Sequence, residues 1–225
     1  LHNISFLSNK SKKFKLLSIG KIKNYTIEDF SKGSINKKIE EIIKTNISIN
    51  ETSQEDIPFI LCGQNFDLSK KNTGIWNDIP SLNYWVPEIL LYQNNYNTTL
   101  THLFTANTSL DDIIANIENN HEFIYSILDS KYPDKHTNNI ITSNEFLTDK
   151  DTFDDSITNI KNHINNSEVS KVVISNILSC EIDKKLPYSN LIMKLNDIYP
   201  TCCVFYYRFN GIQSFIGASP ETILK

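Results

Sequence analysis

Residues 202–217 read CCVFYYRFNGIQSFIG. Cys202 to Phe209 is an apolar, aromatic-rich run of strand type, and Ile212 to Gly217 is its return. Between them stands Asn210-Gly211. It is the strongest short hairpin signal, because both turn residues must take positive φ. Just upstream, Leu191, Leu195 and Ile198 form one apolar helix stripe that stops at Pro200.

Working outward, residues 169–178 read VSKVVISNIL and predict a strand. Phe153, Ile157, Ile160 and Ile164 recur at i, i+4, i+7 and i+11, one face of a helix closed by Asn165-Asn166. Residues 130–150 are polar, carry Pro133 and read as a loop or linker. The main organisational break falls there, dividing residues 1–150 from 151–225.

In the front part, the apolar run after Pro87 and the stretch Thr98 to Phe104 read as a hairpin turning at Asn94-Asn95. Thr108 or Ser109 caps a helix whose first turn holds Asp111 and Asp112, acids at the positive end of its dipole, with Ile113, Ile114 and Ile117 at helical spacing. Ile57 to Gly63 reads as a buried strand, with Pro58 tolerated at its start. Phe14, Leu16, Leu17 and Ile19 suggest a strand, and Ile39, Ile42 and Ile43 a short helix. Trp76, Trp85 and Pro87 read as core and turn. Hairpins mixed with helices, and no internal repeat, point to an α+β fold.

The chain has 225 residues, a net charge of -4 and charges of both signs mixed along it. No basic face is implied, so nucleic-acid binding is not expected. No run of 18 apolar residues exists, so no membrane helix is expected. Leu1 to Lys10 lacks the order of a signal peptide, and Leu1 in place of Met suggests a fragment or an unusual start codon. Cys62, Cys180, Cys202 and Cys203 form no CxxC pair, which argues against zinc. The last three lie in or beside apolar runs, where a buried Cys serves as a small hydrophobe. Ala occurs three times and Arg once, at Arg208, while Asn and Ile abound. That bias suggests an AT-rich genome, in a plastid or a bacterial cytoplasm.

Two residues invite a chemical reading. Lys171 heads an otherwise apolar strand. It either reaches solvent at the strand end or, if both faces are buried, becomes a neutral amine fit to act as a base. Glu221 follows Gly217, Ala218, Ser219 and Pro220 at a hairpin exit. Glycine permits close backbone approach to a ligand, and a carboxyl group there can act as an acid. The plainer alternative is a surface Glu. His102, His121 and His163 have no carboxylate or Cys partner at a telling spacing and receive no role. Arg208 either pairs with a buried acid or faces solvent.

Taken together, Lys171-Val172-Val173, the helix, the hairpin and Phe215 to Glu221 resemble the chorismate-binding enzyme family. The resemblance is strong over residues 151–225 and looser back to about residue 57. It implies antiparallel β-sheets packed together with helices on the outside, in an incomplete copy of that fold. It also implies an isomerase that converts chorismate to isochorismate. Lys171 would deprotonate the incoming water, Glu221 would protonate the departing hydroxyl, and Gly217, Ala218 and Ser219 would contact the substrate. Lysine at position 171 resembles the water-using members, since the ammonia-using ones typically carry Gln there. Magnesium is implied, with ligands expected beyond Lys225. Salicylate synthase and a non-catalytic split remnant stay open as alternatives, and the oligomeric state is undetermined. Asn176 departs from the family, standing where an Arg often follows this strand.

Overall fold

Serines occupy several positions where a buried strand usually carries aliphatic residues, and their hydroxyls must therefore be paired. Ser5 and Ser18 lie opposite each other on neighbouring strands, both buried, and their hydroxyl groups hydrogen-bond. This pairing joins β1 (Ile4–Asn9) to β2 (Phe14–Ile19) at the centre of a six-stranded antiparallel sheet. The computed structural model describes residues 3–26, 37, 40, 60–65, 67, 68, 70, 72–129, 141–183, 186–209 and 213–221.

The six strands run in the order β11-β10-β1-β2-β6-β7. The outer members are β6 (Ile89–Gln93), β7 (Thr98–His102), β10 (Cys203–Phe209) and β11 (Gln213–Ser219). A three-stranded sheet, β3-β5-β4, is built from β3 (Lys23–Thr26), β4 (Leu61–Gln64) and β5 (Leu82–Val86). Leu16 and Leu90 of the larger sheet meet Leu61 and Trp85 of the smaller one in one buried cluster, with Leu7, Tyr92 and Tyr207 packed against it. Burying a leucine such as Leu90, fully enclosed here, stabilises by about 1.5–3 kcal/mol. The Trp85 ring meets Tyr207 edge-on at 5.8 Å.

Helix α1 (Leu110–Asp129) begins as expected. Ser109 Oγ accepts from the Asp112 amide at 3.2 Å and donates to its carboxylate at 2.6 Å. Helix α2 (Lys150–Asn165) is capped by Asp149, which accepts from the Thr152 amide and hydroxyl. Helix α3 (Tyr188–Ile198) stops ahead of Pro200. Asn196 from α3 accepts a hydrogen bond from buried Ser8 of β1 at 2.9 Å. No helix is long and apolar enough to cross a membrane among the described residues.

The chain divides into two compact units. One comprises residues 1–131 and 189–225, the other Tyr132–Tyr188. The second unit holds α2 and a two-stranded antiparallel sheet of β8 (Ile141–Phe146) and β9 (Leu178–Ile182), with α2 in the connection between them.

Several expectations need correction. Part of the stretch expected to be a loop, Ile141–Phe146, is a strand, because its backbone pairs with β9 although its side chains are exposed. The segment expected as a strand over 169–178 is not one until Leu178, since residues 171–177 have no strand partner among the described residues. Cys180 is exposed, whereas Cys202 is buried and Cys203 half-buried. The short helix around Ile39–Ile43, the start of the strand at Ile57 and the turn at Asn210-Gly211 fall outside the described residues.

Of the three histidines, His163 has a carboxylate partner in the structure, Glu168 at 2.5 Å. His102 on β7 stands 5.4 Å from His121 of α1, ring to ring, and 3.5 Å from Asn120. Burial holds His102 below the ordinary imidazole value of 6.5, His121 lowers it further, and Glu88 opposes both. The unfolded chain therefore binds the proton more readily. Stability is intact above about pH 6.5 and declines as pH falls below it. In thermal melts between about pH 7.5 and 5.5, His102→Gln is expected to lose less Tm on acidification than the parent; an equal loss would remove this coupling.

Candidate functional site

β11 forms one edge of the six-stranded sheet, so its exit, residues 217–221, is set by pairing with β10 on one side only among the described residues. Gly217 lies opposite Phe205. A Cβ added at Gly217 would stand 2.6 Å from the tip of the Phe205 ring. That ring lies 5.1 Å from Phe215, which Trp76 meets edge-on at 5.2 Å. The sequence reading assigned the glycine to ligand approach. In this structure its open space is filled by a neighbouring aromatic ring, a packing role that glycine in an edge strand commonly serves.

Ala218 pairs with Val204 and Ser219 with Cys203. Ser219 Oγ accepts a hydrogen bond from the Glu221 amide at 3.1 Å, fixing the chain across Pro220. The Glu221 side chain is exposed.

Lys171 lies in a segment of the second unit that has no strand partner among the described residues, and its side chain is also exposed. The burial on both faces that would make it a neutral amine is not provided by the described residues. Asn176, five residues on, has a definite local role. Its Oδ1 accepts from the amides of Thr148 and Ile177, and its Nδ2 donates to the Thr148 carbonyl. The side-chain amide thus imitates a strand residue, and Leu147 adds a backbone bond to Ile177 at 2.8 Å. These bonds join the 171–177 segment to the cap of α2, so Asn176 has a structural use of its own at this position. Lys171 and Glu221 belong to different units, each described here by itself.

Among the described residues, no group of three or more His, Cys, Asp or Glu side chains gathers as metal ligands. A small cleft in the first unit brings together Asn3, Lys21, Asn83, Trp85, Tyr207 and Arg208. Lys21 places its ammonium 5.5 Å from the Trp85 ring centre, and burial lowers its pKa. Burial also pushes the Tyr207 hydroxyl up to about 12, so it stays protonated at neutral pH. Sequence reasoning missed Lys21 and Asn83 here. No local pattern marks them, since the cleft exists only once β5 and β10 face each other.

A family model described as "Chorismate binding enzyme" matches residues 2–225. The chain belongs to that family. No curated protein matches it in sequence. Among solved structures it is similar to MenF, the menaquinone-specific isochorismate synthase from Escherichia coli, with 16% identity and a TM-score of 0.60. The match covers 97% of this chain and 44% of that one. It shows a shared fold, mixed helices and antiparallel sheets, of which this chain spans less than half the length.

If Gly217 is kept by the Phe205 ring, Gly217→Ala should lower stability by about 1–3 kcal/mol, the range for overpacking. Gly217→Ala combined with Phe205→Leu should recover much of that loss in denaturant melts. A double variant no more stable than the single one would return Gly217 to a role in ligand approach.

Proposed function

We propose that this chorismate-binding enzyme is the front part of an isochorismate synthase. One observation carries the reading: Lys171-Val172-Val173 and the Gly217 to Glu221 run occur together in a family member whose fold matches an isochorismate synthase. Lysine at position 171, where ammonia-using relatives typically carry Gln, favours water as the nucleophile.

The reaction exchanges one hydroxyl for another on a cyclohexadiene ring. Water attacks one ring carbon, both ring double bonds shift by one position, and the hydroxyl departs from the carbon at the far end of the diene. One face needs a proton acceptor and the other a donor. Lys171 takes the proton from water, and Glu221 gives one to the leaving hydroxyl, so the proton count balances. Gly217, Ala218 and Ser219 border the substrate on the side of Glu221. Magnesium, if bound, would offset the charge of the substrate carboxylates; no group of carboxylate, His or Cys side chains among the described residues gathers to hold it. The product feeds menaquinone, phylloquinone or siderophore synthesis, in a plastid stroma or bacterial cytoplasm. With both catalytic side chains exposed and less than half of the MenF length present, residues 1–225 alone should be inactive.

The protein in its natural full length, incubated with chorismate and magnesium, should yield isochorismate on chromatography. Salicylate with pyruvate would assign it to the sister activity; anthranilate or no turnover would reject the proposal. Lys171→Ala and Glu221→Gln should each lower kcat by about 10²–10⁴-fold, with the far-UV spectrum unchanged.

A further inference from the structure

Alternation along β5 turns Asn83 and Trp85 to the same face, and both are buried. Where the chain leaves β2, Gly20 takes a φ of +73°, a conformation open to glycine, and Lys21 follows with its ammonium over the Trp85 ring. On β10, Tyr207 meets the same ring edge-on, and Arg208 lies opposite Ile4 of β1. With Asn3 these residues line one cleft of the first unit, about 210 Å³ of empty space partly open to solvent. Asn83 and Trp85 are its buried floor, and Lys21 and Arg208 stand half-buried around it. Two of these groups lack what burial demands. The Asn83 side chain is 3% exposed, and its Oδ1 has no donor among the described residues. A buried acceptor left without a donor is rare in a folded protein. Lys21 rests on the Trp85 ring and has no carboxylate partner among the described residues. Burial lowers its pKa, as expected of an ammonium short of solvation. Among the described residues no acid lines the cleft, while Lys21 and Arg208 bring two positive charges to it.

We propose that this cleft binds a small oxyanion that also carries a hydroxyl group. The oxyanion pairs with Lys21, with the charge of Arg208 beside it, and the hydroxyl donates to Asn83 Oδ1. A short α-hydroxy carboxylate has this chemistry. So does inorganic phosphate, which keeps a P–OH group at neutral pH. Acetate and sulfate bring the charge without the donor and leave Asn83 unpaired. A site built to hydrogen-bond a hydroxyl rejects analogues that lack it. The volume of the cleft, below that of drug-sized pockets, restricts the ligand to a few heavy atoms. The register of β10 with β11 sets the cleft at the Arg208–Ser214 end of the pair, whereas residues 217–221 leave from the Cys203–Ser219 end. The proposal therefore uses no step of the isochorismate reaction and is tested apart from it.

Nuclear magnetic resonance of the isotope-labelled protein in its natural full length, following the Trp85 indole N–H, tests it. At neutral pH and constant ionic strength, glycolate and inorganic phosphate should shift that signal saturably. Glycolate should bind about tenfold more tightly than acetate, and phosphate about tenfold more tightly than sulfate. Lys21→Met should weaken glycolate and phosphate by about tenfold or more. Asn83→Ala should bring glycolate down to the affinity of acetate. Amide signals of Leu16 and Leu90 that stay in place would show the first unit folded in both variants. If Asn83→Ala does not fold, the two probe pairs on the parent protein carry the same test. The tighter of glycolate and phosphate names the source of the oxyanion, and either result supports the proposal. No saturable shift with any of the four probes would overturn it. So would equal affinities within each pair, or a glycolate shift that survives Lys21→Met.

Discussion

The meeting of Leu16 and Leu90 with Leu61 and Trp85 is the contact on which the first unit depends. It fastens the small sheet onto the large one, and the Trp85–Tyr207 contact extends the same seam to β10. Apolar burial drives this association. The polar groups caught within it are tolerated where they pair, as Ser5 and Ser18 do. Because β10 is held between β1 and β11, the same sheet fixes where the 217–221 exit emerges.

The second unit has no comparable contact among its described residues. Its local bonds are sound: Asp149 caps α2, and Asn176 is tied to Thr148. Hydrogen bonds of this sort contribute modestly and cannot replace a core. The chain therefore combines a unit with its own core and a unit in which no buried residue occurs among those described.

Elements with regular periodicity were legible in the sequence. The strand from Phe14, the hairpin of β6 and β7, helices α1 to α3 and the pairing of β10 with β11 all carry apolar spacing or capping residues that act locally. β1 was missed because its serines and Asn9 look solvent-facing until a neighbouring strand buries them. β8, with every side chain exposed, has no periodicity to read. The opposite failure occurred at 169–178, where strand-forming residues lack a strand to pair with. Propensity states what a segment can become; a partner decides whether it does. Of the candidate site, the motif around Glu221 was legible as a family mark, while the reason for Gly217 emerged only when Phe205 was seen opposite it. Lys171 is exposed in its own unit, so the burial expected of it from strand periodicity is not found among the described residues.

The most direct measurement is a crystal structure of the protein in its natural full length with chorismate bound. Lys171 Nζ and the Glu221 carboxyl group should face opposite sides of one substrate ring. Finding the two side chains in separate cavities, or both in bulk solvent beside the bound substrate, would contradict the assignment.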